Sequence, residues 1–452
     1  MQQFSWLGLF AGFLYEDFGP KTLSIALFLL PLSYIGLGLA EVGVKNGDNL
    51  VGKGALVAMT GQGGCIASVV PLLCLIDLFP ADHSRVMGLL AGTHSSSLLL
   101  YYSTARMLNL ELVQVYVLST QLVVAGITLA LLVVAVAVFC VLQLQPTPDA
   151  EQTKERRIVT RLCLVSLGVG WICVSTLLCR NNLPAKVVFV IFGWVSPCLY
   201  LISLYFNRKF PVYISFGTEG NERIQPQVES IPLLKAMKRN SFWLIFFTTA
   251  VIVGGGCTLR NNLFDILQHT DVAVKWSPDS YYLLMTVVEA AAGLGAGVLA
   301  DKVQPRLVLC VLCFLSSAAM FTLYMGLHFS LLCGVLVTGL SLGALETLMP
   351  VMVYEEFGPV QFSRKYGFML LANSTGAIIL STAISSHAYF VHIGGDRAKS
   401  CEGADCFSVS FAINCAASCL AAMAMLALAH NRRRESTIDP TDSQKPPPVV
   451  TN

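Results

Sequence analysis

Glu289 is the one acid in an otherwise uncharged stretch, 280–300, and His94 lies in another uncharged stretch, 86–105. At 1.5 Å of rise per helical residue, Glu289 sits roughly 14 Å into its segment and His94 roughly 12 Å. An ionisable side chain that deep in hydrocarbon costs a few kcal/mol or more, so it is a functional candidate by default. Glu289 suits a proton or a cationic group. Burial favours its neutral form and a nearby cation its charged form. The alternative is a hydrogen-bonded structural acid. The imidazole of His94 has an unperturbed pKa of about 6.5 and suits proton coupling; the alternative is a packing histidine beside Ser95, Ser96 and Ser97.

Arg260 follows an uncharged run and precedes Asn261 and Asn262. Gly254, Gly255 and Gly256 come just before it and predict a break in the helix there. A broken helix beside an arginine could hold a carboxylate. The competing reading is an outer-surface arginine whose stem lies along apolar surface. Glu346 is expected nearer the inner side, in a proton path or paired at a gate. Gln62 and Asn373 are uncharged polar candidates for solute contact. Cys401 and Cys406, with four residues between them, could close a disulfide if that loop faces an oxidising compartment. Cys310 and Cys313 have C-x-x-C spacing but apolar surroundings, and read as packing. No metal site and no cofactor are expected. The motifs G-x-x-x-x-G-K-[ST] and H-E-x-x-H are missing from the chain, which leaves ATP-driven pumping and zinc-peptidase chemistry without support, and nothing is spaced like a catalytic set, which argues against an enzyme.

These residues are carried by very apolar elements. The 452 residues are 55% hydrophobic and 12% charged, with a mean hydropathy of +0.67. Soluble domains carry about 25% charged residues, so a water-facing surface is excluded, and a net charge of +2 without a basic block gives nothing for nucleic acid to bind. A bilayer core needs about 20 apolar residues per helix. Twelve stretches meet that need: 22–40, 54–76, 86–105, 112–148, 162–179, 187–207, 242–259, 280–300, 307–327, 331–345, 366–386 and 407–429. A transmembrane barrel would show alternation in shorter segments. The expected fold is an all-α polytopic membrane protein. Alternating sides along it puts about two-thirds of the 29 Lys and Arg residues on one face, taken as cytoplasmic together with both termini.

The expected divisions are an N-terminal bundle at 1–144, two extra helices with a cytoplasmic linker at 145–240, a C-terminal bundle at 241–430 and a disordered cytoplasmic tail at 431–452. Residues 1–15 are apolar but too short to span, and show no signal-peptide cleavage pattern.

Gly12-Phe13-Leu14-Tyr15-Glu16-Asp17-Phe18-Gly19-Pro20-Lys21 aligns without gaps with Gly297-Val298-Leu299-Ala300-Asp301-Lys302-Val303-Gln304-Pro305-Arg306. Both copies fall at predicted cytoplasmic helix connections, the mark of a repeat-built carrier. The pattern resembles the G-x-x-x-D-R-x-G-R-R signature of the major facilitator superfamily. What the resemblance implies is a two-bundle fold in which the glycine lets helices approach and the acid pairs with cations at a cytoplasmic gate. Asp17 and Gln304 depart from the signature. On this alignment the chain begins partway through the family's second helix.

Further stretches narrow the resemblance: Leu234-Lys235-Ala236-Met237, Phe242-Trp243-Leu244-Ile245-Phe246-Phe247, Gly254-Gly255-Gly256-Cys257-Thr258, Asn261-Asn262-Leu263, Gly339-Leu340-Ser341-Leu342-Gly343, Pro350, Glu356-Phe357-Gly358 and Cys401-Glu402-Gly403-Ala404-Asp405-Cys406-Phe407. In this order they are similar to the nodulin-like branch of that superfamily. The branch implies alternating-access transport of a small solute, such as an organic anion, an amino acid-like or a vitamin-like compound, with protons as a coupling partner and the lipid bilayer as surroundings. The rival reading is a non-transporting membrane receptor or scaffold that uses the linker and tail.

Overall fold

The computed structural model describes residues 8–43, 50–78, 83–92, 94–95, 231–269, 278–327, 329–392 and 404–438. The expected spans at 112–148, 162–179 and 187–207, most of 86–105 and residues 439–452 lie outside them.

The described residues are helical. In chain order they form α1 (Gly8–Phe18), α2 (Leu23–Gly43), α3 (Leu50–Leu78), α4 (83–92), α5 (Asn240–His269), α6 (Pro278–Ala300), α7 (Pro305–Tyr324), α8 (Ser330–Phe357), α9 (Phe362–Gly376), α10 (Ser385–His392) and α11 (Ser408–Ile438). A π-helical stretch, Ala377–Ile384, joins α9 to α10. Among the described residues, eight helical stretches are long and apolar enough to cross a membrane. Large apolar side chains such as Phe28, Phe314 and Leu426 are exposed on their outer faces. Such faces suit acyl chains rather than water, and the protein is an integral, multi-pass membrane protein.

Local sequence sets the helix ends. Gly19 has φ +59° and opens the 3-10 turn Gly19–Thr22, which carries Pro20 and leads into α2. Pro305 occupies the first turn of α7, where its missing N–H is no loss. Gly358 ends α8 with φ +70°, a conformation that suits glycine.

The three glycines at 254–256 do not break α5, contrary to the sequence expectation. Their small size serves packing instead. A Cβ at Gly254 would meet the Gly376 carbonyl of α9 at 2.6 Å, and one at Gly256 would meet Leu342 of α8 at 2.9 Å. In this way α5 packs closely on α8, α9 and α11, and α6 packs along α8 while α7 packs along α11. The core between them is apolar, with Val251, Ile252, Leu348, Met352 and Met425 buried. Cys310 and Cys313 lie in this same core, as their apolar surroundings in the sequence suggested. Helix α11 continues to Ile438, past the residue at which the polar tail was expected to begin.

Candidate functional site

Polar groups gather at two levels of the bundle. The deeper level is built on α5 and α6. Arg260 donates to Glu289 across these helices, with side chains 8% and 1% exposed. Since α5 runs on to His269, Arg260 lies inside a helix and not at its outer end. The guanidinium also sits over the Tyr282 ring, 5.7 Å from its centroid. Its buried Nε has no hydrogen-bond partner among the described residues. Next to it, Asn261 Nδ2 donates to Ser381 Oγ at 2.9 Å, which brings in the π-helical stretch. Such stretches often mark functional positions. The structure thus brings Arg260, Asn261 and Glu289 together with Tyr282 and Ser381.

Glu346 on α8 joins this level, because the charges of His94, Glu289 and Arg260 all act on it. His94 is exposed. Asn262 turns away: its Nδ2 donates to the Thr258 carbonyl of its own helix at 2.8 Å. Asn373 has a buried Oδ1 with no hydrogen-bond partner among the described residues. Gln62 is half-buried on α3. Glycine again sets the geometry, since a Cβ on Gly343 of α8 would strike the backbone carbonyl of Glu289. The crossing of α6 and α8 is further held by Thr347 Oγ1, which donates to the Gly293 carbonyl at 2.9 Å.

The second level is at the end where the two motif copies lie. Gly12 on α1 packs against α9, where its Cβ would sit 3.1 Å from the Gly367 Cα. Ser363 donates to Glu16, and Arg364 pairs with Asp17 at 3.3 Å. Arg364 also lies over the Phe13 ring at 5.2 Å. In the second copy, Gly297 on α6 meets Gly88 on α4, and a Cβ on either would lie 2.8 Å from the other's Cα. Asp301 there accepts from both Ser84 and Arg85. Each glycine–acid motif of one half is gripped by a helix of the other half. Between the two grips, His83 and Tyr354 have ring centroids 4.8 Å apart, and Tyr354 meets Phe362 at 5.6 Å.

The gripping residues were missed in the sequence, although a signal was present. Ser84-Arg85-Val86-Met87-Gly88 and Ser363-Arg364-Lys365-Tyr366-Gly367 share the pattern Ser-Arg-x-x-Gly. Asp17, which departs from the signature, meets a cation in Arg364. Arg306 pairs with Glu356 of α8 and is not part of either grip. Lys302 and Lys21 are exposed. Cys406 is disulfide-bonded; Cys401, its expected partner, lies outside the described residues.

No curated protein gives a significant match. Among solved structures, the chain is similar to the E. coli fucose:proton symporter FucP, at 14% identity over 94% of this chain and 88% of that one, with a TM-score of 0.47. It is similar also to the proton:xylose symporter XylE bound to 6-bromo-6-deoxy-D-glucose, at 13% identity over 94% and 84% of the two chains, with a TM-score of 0.49. Residues 247–451 match the family model described as Major Facilitator Superfamily. That stretch holds α5 from Phe247 onward and every later described helix.

Proposed function

We propose that this protein is a secondary transporter of the nodulin-like branch, moving a small solute by alternating access, and not an enzyme. The single observation that carries the reading is the buried Arg260–Glu289 pair, with Glu346 and His94 within electrostatic reach of it. Two opposite charges deep in an apolar bundle are costly to bury and are weak evidence for stability alone. A carrier has a use for them. Arg260 offers donors to an anionic group, and the spare Nε–H marks where a carboxylate oxygen would bind. Protonation of Glu289 would loosen its hold on Arg260, so that proton and anion bind together. Glu346 and His94 are the groups through which that proton passes. The solute is then an organic anion, an amino acid-like or a vitamin-like compound.

The interlocked grips at the motif end support a cytoplasmic gate that is closed in this conformation. The halves that rock are the bundles at 1–144 and 241–430, with 145–240 between them and 431–452 as a tail. Purified protein in liposomes, tested for uptake of carboxylates, amino acids and vitamins at two pH values, checks this. Uptake of an anion that rises at acid pH and vanishes in Arg260→Ala is the expected result. Absence of uptake and of ligand-induced thermal stabilisation across the panel would favour the receptor or scaffold reading.

A further inference from the structure

Lys365 is wholly buried and forms no ion pair among the described residues. Its ammonium group instead donates to three backbone carbonyls: Phe357 at 2.7 Å, Gly358 at 2.7 Å and Ile231 at 3.2 Å. Three acceptors use all three of its protons. Two of them belong to the end of α8, where helix carbonyls lack partners within the helix. The third belongs to a different part of the chain, the last residues of the expected cytoplasmic linker. The same segment is tied twice more. Ile231 N–H donates to the Phe357 carbonyl at 3.1 Å, and Leu233 N–H donates to Gln361 Oε1 at 3.1 Å. Ile231, Leu233 and Ala236 are buried as a result.

Lys365 directly follows Ser363 and Arg364, which grip Glu16 and Asp17 of α1. One turn of α9 therefore holds α1 and the linker at once. We propose that Lys365 is a positioning residue that clasps the linker to the gate helix, so that the linker controls whether the motif end stays closed. The chemistry favours a joint that moves as one piece. With all three protons donated to carbonyls, the ammonium cannot give up one of them without leaving a buried proton unpaired. Displacement of the linker must then either drag the α8–α9 turn with it or break the set. This rests on the reading of the motif end as a gate, but its readouts need no transport.

The test uses full-length protein in which Cys65 is the only remaining cysteine, with Lys365→Met and Gln361→Gly as variants. Cys65 is buried on α3, in the same apolar cluster as Tyr366 of α9, so it lies between helices of the two motif-bearing parts. Gln361 has φ +53°, which glycine adopts freely, so Gln361→Gly removes the acceptor for Leu233 without threatening the fold. Trypsin cleavage at the exposed Lys235, Lys238 and Arg239 reads the clasp. Maleimide labelling of Cys65 from the motif side reads the gate. In both variants, cleavage and labelling are expected to rise about tenfold, the factor given by one lost bond in a local-opening equilibrium. Glu16→Gln with Asp17→Asn should raise labelling and leave cleavage unchanged. The proposal is overturned if folded variants show unchanged cleavage, or faster cleavage with unchanged Cys65 labelling. If Lys365→Met does not fold, Gln361→Gly decides. Absence of anion transport by the unmodified protein, with both readouts as expected, would remove the transport reading and leave the clasp standing.

Discussion

Gly88 and Gly297 meet backbone to backbone where α4 crosses α6, and a Cβ on either would lie 2.8 Å from the other's Cα. This contact places Ser84 and Arg85 against Asp301. Gly367 and Gly12 do the same for Ser363, Arg364, Glu16 and Asp17. Close glycine packing and a charge-assisted bond thus form one unit, used twice.

Gly297→Ala should cost about 1–3 kcal/mol, because the nearest atoms are backbone and cannot step aside. Gly295→Ala, two residues away with open space around it, should be neutral or stabilise by about 0.5–1 kcal/mol. Thermal unfolding of the two variants in detergent checks the contrast, and equal losses would remove the glycine contact as the cause.

The two grips should differ in strength. Asp17 is the most exposed partner, with its side chain 60% accessible against 26% for Asp301. Asp17→Asn is expected to cost at most about 1 kcal/mol, in the range of surface pairs. Asp301→Asn, which weakens bonds to two donors, should cost more. Double-mutant cycles with Arg364→Gln and Arg85→Gln measure each coupling.

At the deeper level, removing one partner should hurt more than removing both. Glu289→Gln strands a buried guanidinium, at a cost of about 3–5 kcal/mol. Arg260→Ala with Glu289→Gln should recover part of that loss. Glu289→Gln should also abolish pH dependence of uptake, and Arg260→Ala should weaken anionic solutes. Unchanged uptake in both single variants would take the site away from this pair.

Gly343→Ala should displace the Glu289 backbone, which its Cβ would strike. The expected cost is about 1–3 kcal/mol, with uptake impaired more than in Gly295→Ala at equal expression. Measured uptake normalised to folded protein separates this from a simple loss of stability.

Much of the site could be read from composition and position. A lone acid in a 20-residue apolar run has few ways to be tolerated, so Glu289 stood out before any helix was placed, and Arg260 beside it in type. Their partnership did not stand out. They lie 29 residues apart on different helices, and no local pattern says which faces meet. The glycines at 254–256 show the same limit from the other side. A run of three glycines weakens a helix by its own propensity, yet here α5 persists because packing on Gly376 and Leu342 requires the missing side chains. Lys365 gave no signal at all, since it reads as one more cytoplasmic cation.

What the amino-acid sequence by itself determined is the solvent: long uncharged runs can bury their backbone polarity only as helices in a bilayer, and a Gly-x-x-x-acid element recurs at 12–16 and 297–301. What only the tertiary structure decided is who pairs with whom. The acids of one half meet a Ser-Arg-x-x-Gly turn of the other, Arg260 meets Glu289, and Lys365 meets the linker. Those choices depend on helix rotation and crossing. Side chains far apart in the chain set both, by which small residues allow close approach and which carbonyls are left to satisfy.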